Sequence, residues 1–431
     1  MKSRYINIIK VMIIIILPAL LLGAYAAYDD AGKGRVYWLN YKAESDETLQ
    51  KVADLYEQKA GVRVKVMTAA SGTYDKMLNS EMDKAHPPTI IVLKNRENVD
   101  KWADCCVDLT DSPIARELDS DSYNVFDKDK RLVAIGYCYE CFGIIANPSL
   151  LEKAGYSVNE IKNFESLKRV AEDIHDRSAE LGFDAFTSCD LDDSSAWRFT
   201  GHMANLEYYY EARDAGGWDE CPASIKGTYM DNYKNLYDLC INNSCVSPES
   251  LATGGHDAEN EFMSEKAAFY VNGSWEYEAL SKKVPDAVMF PYYCGVAGEE
   301  NAGLNCGTEN YWAVNSRAKE QDIKATLDFM YWCVTDEIAS RMLVDTFGVM
   351  PYKMAADSNN AFLSAAQDYA QDGCYVMDWD MSFQPNAEQY RAGLVSALDM
   401  YNSDQSEENW RNVCTAFVQG WEYNYREVNA K

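Results

Sequence analysis

Histidines and paired cysteine motifs, from which most zinc sites are built, are scarce in this sequence. Only four histidines occur among 431 residues, and they are dispersed along the chain. One C-x-x-C unit is present at residues 138–141, and no second unit accompanies it. A structural zinc site needs four such ligands. The sequence therefore predicts no metal site, and no motif predicts a bound cofactor.

Basic residues are also few in comparison with acidic ones. The chain has 40 lysines and arginines against 68 aspartates and glutamates, which gives a formal net charge of −28. A surface of this charge repels nucleic acid and anionic lipid headgroups. We therefore expect no nucleic-acid partner, and the charge favours a neutral or cationic ligand over a strongly anionic one.

The sequence lacks the short motifs that identify common hydrolases, phosphate-binding loops and dinucleotide-binding domains. G-x-S-x-G, H-E-x-x-H, the P-loop and G-x-G-x-x-G are all absent. A glycoside hydrolase needs two carboxylates roughly 5–10 Å apart across one cleft. Some pair among 68 acidic residues will always meet that condition, so it carries no information. We expect no catalytic residues, with a secreted glycoside hydrolase as an alternative.

The first 27 residues differ in composition from the rest of the chain. Three basic residues precede an apolar run from Val11 to Leu22, and Ala24-Tyr25-Ala26 follows it. This arrangement is typical of a secretory signal. We expect residues 1–26 to be a signal peptide, or else an uncleaved membrane anchor. The protein is then extracytoplasmic, either secreted or associated with the cell surface. The first cysteine is Cys105, so a lipid-anchored amino terminus is not supported.

Thirteen cysteines in an exported chain suggest disulfide bonds, although the count is odd. The two cysteines of the 138–141 unit lie on a predicted strand with their side chains on opposite faces, so they cannot pair there. Cys240 with Cys245 and Cys294 with Cys306 flank short loops and are the plausible pairs. The alternative is that the cysteines are small buried apolar residues, and the sequence leaves the pairing open.

Strands and helices alternate in the first part of the chain. Residues 36–39, 62–67 and 89–93 are predicted strands with helices between them, and the first of these helices ends at Gly61. This order is typical of a parallel sheet with crossover helices. Ligands of such sheets bind at the loops that follow the carboxyl ends of the strands. The first of those loops begins at Asn40.

Two later segments are predicted to cross from one lobe to another. Residues 132–147 form one long extended run, LVAIGYCYECFGIIAN, and residues 308–315, TENYWAVN, form a second candidate. A second α/β region lies between them, and helices from residue 321 onward close the chain. Two lobes joined by such crossings predict a hinge with a cleft between the lobes.

Four segments together resemble a known protein family in their order and spacing. They are LEKAGY after an IIAN strand, FYVNGSWEY, GTENYWAVN, and FGVMPYK at residues 347–353. The chain resembles extracellular solute-binding proteins of family 1, the maltose-binding-like class, over about residues 35–423. The resemblance implies an α/β fold of the type II periplasmic-binding-protein kind. Its two discontinuous lobes are joined by a hinge and enclose an interlobe cleft that holds a carbohydrate.

The resemblance also implies an organisation and a set of partners. The N-terminal lobe would comprise residues 33–142 and 308–355, and the C-terminal lobe residues 143–307 and 356–425. A monomer would bind a sugar or oligosaccharide without a cofactor and deliver it to the permease subunits of an ABC importer. A sugar-sensing subunit that presents its ligand to a membrane receptor is a further alternative.

Trp275 and Glu140 are the leading candidates for ligand contacts. Trp275 follows Asn272-Gly273-Ser274, residues that favour turns, and this turn is expected to project the indole into the cleft rather than onto its own sheet. Glu140 lies inside an apolar strand, where a carboxylate has to be paired or face a cleft. The family carries an aromatic residue at the first position and a sugar contact at the second. The alternatives are core packing for Trp275 and a structural salt bridge for Glu140.

Further ligand contacts are expected from loops and from the second crossing. Aromatic faces stack on sugar rings, and carboxylates or amides hydrogen-bond sugar hydroxyls. The remaining candidates for ligand binding are Asn40, Ser71, Trp197, Glu309, Asn310 and Trp379. Tyr390 is a weaker candidate, and the cluster Tyr208-Tyr209-Tyr210 is expected to pack in the core.

Overall fold

The computed structural model describes residues 32–70, 73–119, 124–192 and 194–430. Its strands are β1 (Arg35–Asn40), β2 (Arg63–Thr68), β3 (Ile90–Leu93), β4 (Asn124–Phe126), β5 (Leu132–Gly136), β6 (Glu140–Ala146), β7 (Asp184–Phe186), β8 (Ala267–Gly273), β9 (Val288–Phe290), β10 (Ala302–Gly307), β11 (Tyr311–Val314) and β12 (Tyr375–Asp378). Its α-helices are α1 (Asp46–Ala60), α2 (Tyr74–Met82), α3 (Arg96–Trp102), α4 (Pro148–Ala154), α5 (Phe164–Asp176), α6 (Ser178–Leu181), α7 (Asn205–Ala215), α8 (Met230–Asn242), α9 (Pro248–Leu251), α10 (Ala258–Met263), α11 (Tyr277–Leu280), α12 (Glu320–Thr335), α13 (Glu337–Phe347), α14 (Ala361–Gln371), α15 (Ala387–Ser403) and α16 (Glu407–Asn429). The predicted leader lies outside the described residues, and within them no helix combines the length and the hydropathy needed to cross a membrane.

The first sheet has the strand order β2-β1-β3-β11-β5-β4. Strand β1 pairs in parallel with β2 and β3, whereas β11 is antiparallel to β3 and β5. Helix α1 connects β1 to β2 and ends before Gly61, whose φ of 65° is the left-handed conformation that favours glycine at a helix end. The predicted alternation of strands and helices in this part of the chain is confirmed.

The second sheet has the strand order β12-β10-β6-β8-β7, and β9 pairs with residues 144–146 of β6. Strand β6 is antiparallel to both β10 and β8. Its sequence, ECFGIIA, is buried at every position. A strand with neighbours on both edges and cover on both faces requires such a continuous apolar run. Glu140 is the one acidic residue in this strand, and a buried carboxylate there requires a hydrogen-bonding or charged partner.

Each sheet has its own apolar core, and we call each sheet with the helices packed on it a lobe. The first-lobe core contains Trp38, Tyr137 and Trp312, whereas the second-lobe core contains Phe142 and Trp421. The predicted α/β fold with two lobes is confirmed. The residue boundaries given above for the lobes stay a prediction.

Short segments carry the chain between the two sheets. Strand β5 ends at Gly136 in the first sheet and β6 starts at Glu140 in the second, so residues 137–139 cross. Strand β10 ends at Gly307 and β11 starts at Tyr311, so residues 308–310 cross back. The long run predicted at 132–147 is therefore two strands in different sheets rather than one continuous strand.

All thirteen cysteines are free thiols in the structure. The two candidate pairs from the sequence, Cys240 with Cys245 and Cys294 with Cys306, are not formed. Cys240 is buried in helix α8, whereas the Cys245 thiol donates to the Lys266 carbonyl oxygen at 3.4 Å. Most of the thiols lie in the two cores, as small apolar side chains do.

Helix α7 places two carboxylates, Glu207 and Glu211, one turn apart in the second lobe, beside the buried cluster Tyr208-Tyr209-Tyr210 that was expected to pack in the core. Glu207 is fully buried and accepts a hydrogen bond from the Tyr229 backbone N–H at 2.6 Å. Burial, and next the charge of Glu211, raise the pKa of Glu207 to about 8. The folded protein therefore favours the protonated form of this carboxyl group.

We expect Glu207→Gln to stabilise the protein at pH 9 much more than at pH 5. The folded-state pKa of about 8 lies above the ordinary value of 4.5. The stability that this carboxyl contributes is thus fully present below the ordinary value and is lost as the pH rises through the folded-state value. Glutamine stays neutral at both pH values. At about 1.4 kcal/mol per pKa unit, the gain in unfolding free energy from the substitution should be larger at pH 9 than at pH 5 by on the order of 2–4 kcal/mol. Urea unfolding of the wild type and the variant at both pH values measures this gain. Glu220→Gln, at an exposed position, is the control. A benefit that is equal at the two pH values would contradict the prediction.

Candidate functional site

The loop after β1 brings a lysine from the first lobe to the boundary between the lobes. Asn40, the last residue of β1, is fully buried and holds this loop. Its Nδ2 donates to the Lys42 carbonyl oxygen at 2.8 Å and to Ser45 Oγ at 3.1 Å, and its Oδ1 accepts from the Lys42 N–H at 3.2 Å. In the structure, the side chain that was predicted to contact a ligand is occupied in positioning Lys42.

Lys42 and Glu140 form a buried ion pair between the two lobes. Lys42 Nζ lies 2.7 Å from Glu140 Oε1, and the side chains are only 7% and 3% exposed. Burial alone would lower the pKa of Lys42, but the carboxylates of Glu140 and Glu44 raise it well above its ordinary value, so Lys42 is charged. Burial raises the pKa of Glu140, and the Lys42 ammonium acts against that rise. The structural salt bridge that was the alternative for Glu140 is thus present.

Asn310, in the second crossing, completes this polar network. It is fully buried, and its Nδ2 donates to Glu140 Oε2 at 2.8 Å. Its Oδ1 accepts from the hydroxyls of Tyr41 at 2.6 Å and of Tyr137 at 3.3 Å. Both oxygens of Glu140 therefore have partners, as a buried carboxylate requires. We call Tyr41, Lys42, Glu140 and Asn310 the polar network.

Trp275 lies beside the polar network, but the local backbone differs from the prediction. Strand β8 continues through Asn272 and Gly273, and a 3-10 helix spans Ser274–Glu276. Gly273 has a φ of −106°, which is ordinary extended backbone. The expected turn at Asn272-Gly273-Ser274 is therefore wrong. Glycine is needed at 273 for a different reason, because a Cβ there would lie 2.2 Å from the indole of Trp275.

The half-buried indole of Trp275 belongs to a cluster with four other rings. Its centroid lies 5.7 Å from Trp197, 5.6 Å from His202 and 5.8 Å from Phe142. His202 in turn stacks on Phe142 at 4.3 Å and meets Trp379 edge-on at 4.8 Å. We call Phe142, Trp197, His202, Trp275 and Trp379 the aromatic cluster. Lys42 Nζ lies 5.6 Å from the Trp275 ring centroid, so the polar network of the first lobe meets the aromatic cluster of the second.

His202 lies at the centre of the aromatic cluster and is neutral. Burial, followed by the positive charges of Arg391, Arg198 and Lys42, holds its pKa well below the ordinary value. Among the residues that the structure describes, Nδ1 of His202 and Nε1 of Trp379 have no hydrogen-bond partner although both atoms are buried. Each of these two nitrogens can therefore still form a hydrogen bond inside an otherwise apolar cluster.

Glu309 and Arg391 bring a second pair of opposite charges close to the same region. Arg391 lies 3.7 Å from Glu309 Oε1, and both side chains are largely buried. Arg391 Nε also donates to Gln384 Oε1 at 2.5 Å, which fixes the guanidinium. Beyond burial, the positive charge of Arg391 helps to lower the pKa of His202. Beyond burial and the charge of Glu140, the negative charge of Glu309 helps to raise the pKa of Tyr41. The pair therefore borders both the aromatic cluster and the polar network.

The structure brings most of the predicted site residues together. Those in or beside the two groups are Asn40, Glu140, Trp197, Trp275, Glu309, Asn310 and Trp379, whereas Ser71 lies outside the described residues. The weaker candidate Tyr390 is buried and bonded to Tyr208, so it belongs to the core. Sequence reasoning missed Tyr41, Lys42, His202 and Arg391. The position of Tyr41 and Lys42, in the loop directly after the first strand, was the available signal.

Two lobes of this topology, with polar and aromatic side chains gathered between them, define the class of solute-binding proteins. The profile of the bacterial extracellular solute-binding protein family matches residues 51–402, and the chain belongs to that family. The family's members are binding proteins. A comparison with curated proteins finds no match.

Similar solved structures have the same two-lobed fold at low sequence identity. A complex of the solute-binding protein RafE with raffinose is 16% identical, with a TM-score of 0.70 over 90% of this chain and 99% of that one. Lmo0181 from Listeria monocytogenes in complex with cycloalternan is 14% identical, with a TM-score of 0.66 over 92% and 99%. The sugar transporter BL01359 from Bacillus licheniformis in complex with stachyose is also 14% identical, with a TM-score of 0.65 over 90% and 100%. The predicted type II fold is confirmed.

Proposed function

We propose that the protein binds a sugar or oligosaccharide between its lobes and delivers it to the permease of an ABC importer. The observation that carries this proposal is the meeting of the aromatic cluster with the polar network at the boundary between the lobes. Aromatic faces attract the polarised C–H groups of a sugar ring. Carboxylates, amides and guanidinium groups bind its hydroxyls. The site offers both kinds of group within one region.

The proposed ligand contacts fall into two sets. Trp275 and Trp197, which are half-buried, supply the stacking faces, and Trp379 packs against His202 in the same cluster. Glu309 supplies a hydrogen-bonding carboxylate, Asn310 contributes through the polar network, and Arg391 adds a cation held by Gln384. Glu140 contributes through the polar network, in which both of its oxygens are already paired. The sugars in the similar solved structures, raffinose, cycloalternan and stachyose, support a carbohydrate ligand.

Closure of the lobes on the ligand follows from the same contacts. Lys42 belongs to the first lobe, whereas Trp275 belongs to the second, and the two are 5.6 Å apart. Short crossings at 137–139 and 308–310 connect the lobes and are suited to a hinge. A ligand that contacts both lobes stabilises their closed arrangement over an open one.

We propose an extracytoplasmic location, with the protein acting as a monomer. The family consists of extracellular solute-binding proteins, and the basic and apolar leader of the sequence is consistent with export. Delivery to a permease is the role that such a location and a closing cleft suit best.

We expect at least one sugar to raise the melting temperature of the purified protein. A ligand at 100 times its dissociation constant adds about 2.7 kcal/mol to stability, which corresponds to several degrees for a protein of this size. A thermal-shift screen over mono- to tetrasaccharides, including raffinose and stachyose, tests this, with calorimetry to give the stoichiometry. Chromatography of the incubated sugars separates binding from hydrolysis. Absence of any shift across the panel, or the appearance of cleaved products, would contradict the proposal.

A further inference from the structure

Two cysteines lie directly opposite each other on neighbouring strands, at the strand ends that adjoin the crossings. Cys141 is the second residue of β6, and Cys306 is the next-to-last residue of β10. The strands are antiparallel, and Cys306 is the register partner of Cys141. Residues paired in this way have their side chains on the same face of the sheet.

The hydrogen bonding of Cys141 shows which kind of pair this is. Its backbone N–H donates to Ser274 Oγ at 3.1 Å, on the β8 side of β6 and away from β10. Cys141 and Cys306 are therefore a non-hydrogen-bonded pair, the arrangement in which Cα atoms approach to about 4.5 Å and side chains are closest. Disulfides have Cα separations of about 4.4–6.8 Å. A pair of this kind generally has the backbone spacing that a disulfide needs.

The two thiols point away from the ligand site. Glu140 and Phe142, the neighbours of Cys141 in β6, face the polar network and the aromatic cluster, so Cys141 faces the opposite side of the sheet. There its Sγ lies 3.7 Å from Met289 Sδ and 3.5 Å from the Phe362 carbonyl oxygen. Burial raises the pKa of both thiols, to about 12 for Cys306. A buried thiol with so little thiolate reacts slowly in the folded protein, so the bond has to form while the chain folds.

We propose that Cys141 and Cys306 form a disulfide when the exported chain folds in an oxidising compartment. The oxidant is a small-molecule or enzyme disulfide, RSSR. Two protein thiols and one RSSR give the protein disulfide and two RSH, and each released RSH carries one of the thiol protons. The bond joins β6 to β10 within the second lobe, next to both crossings. This inference rests on the proposed extracytoplasmic location but not on sugar binding.

The test is a thiol count and a peptide map of the mature chain refolded with oxidised and reduced glutathione. Cleavage after lysine and arginine gives peptide 132–153, with Cys138 and Cys141, and peptide 284–317, with Cys294 and Cys306. We expect two fewer titratable thiols than the thirteen of the reduced chain and one cross-linked product of these two peptides. The melting temperature should exceed that of the dithiothreitol-treated protein by several degrees.

Single alanine variants identify the bonded sulfurs. The cross-link should persist in Cys138→Ala and Cys294→Ala and vanish in Cys141→Ala and Cys306→Ala. Thirteen free thiols in the refolded wild type would overturn the proposal, as would a cross-link that survives in Cys141→Ala. The wild-type measurement decides even where a variant fails to fold. A sugar screen on the reduced protein tests the proposed function separately, so the two failures are distinguishable.

Discussion

Replacing Trp275 with alanine is expected to weaken sugar binding roughly 30- to 1000-fold, or about 2–4 kcal/mol. The indole is half-buried, it rests on Gly273, and its neighbours are the rings of Trp197 and His202. Alanine removes the stacking face and takes away a ring that contacts three others of the aromatic cluster. Trp275→Phe should recover part of the affinity because the smaller ring keeps a stacking face.

Calorimetry with a sugar found in the screen measures this loss, and a melt without ligand accompanies it. Trp102→Ala is the matched control, because Trp102 also packs partly buried on a core but lies in helix α3 of the first lobe. That variant should lose some stability and keep its affinity. If Trp275→Ala instead lowered the melting temperature sharply and left affinity nearly normal, Trp275 would be a core residue rather than a ligand platform.

The alternating pattern of the first lobe was predictable because each element is determined by nearby residues. The apolar spacing over α1 and the glycine that follows it depend on a few turns of chain, and both agree with the structure. The two-lobe arrangement followed from the crossing runs. The change of sheet at residues 137–139 could not be predicted, because the apolar sequence continues through these residues without interruption.

The turn predicted at Asn272-Gly273-Ser274 failed because strand pairing outweighs local preference. Asn272 and Gly273 pair with Gly143 and Phe142 of β6, and the whole strand is buried. The ladder bonds gained there exceed the modest turn preference of these residues. Gly273 is required by the approach of an indole two residues away, which no composition rule expresses.

The partners in the site were beyond prediction because they come from distant parts of the chain. Lys42 and Glu140 are 98 residues apart, and Asn310 is 170 residues beyond Glu140. The sequence indicated that Glu140 needs a partner or a cleft, and it left both open. Choosing the partner requires the relative position of the two sheets.

Removing the partner of a buried charge gives the other large effect. We expect Lys42→Met to lower the free energy of unfolding of the ligand-free protein by about 3–5 kcal/mol, because it leaves Glu140 buried without a countercharge. Glu140→Gln should cost a comparable amount, since it isolates the buried Lys42 ammonium. The double variant Lys42→Met/Glu140→Gln carries no buried charge at either position and should recover much of the loss.

The pH dependence of the Lys42→Met variant separates an isolated charge from lost packing. Burial already raises the pKa of Glu140, and without the ammonium its pKa rises further. A raised folded-state pKa means that stability is retained in acid and lost as the pH rises, so the gap to wild type should be smaller at pH 5 than at pH 8. Urea unfolding of the four proteins at both pH values provides the measurement. The control is Lys51→Met, which breaks the exposed Lys51–Glu47 pair and should cost less than about 1 kcal/mol. A pH-independent gap, or a double variant no more stable than Lys42→Met, would show that the ion pair does not hold the lobes in this arrangement.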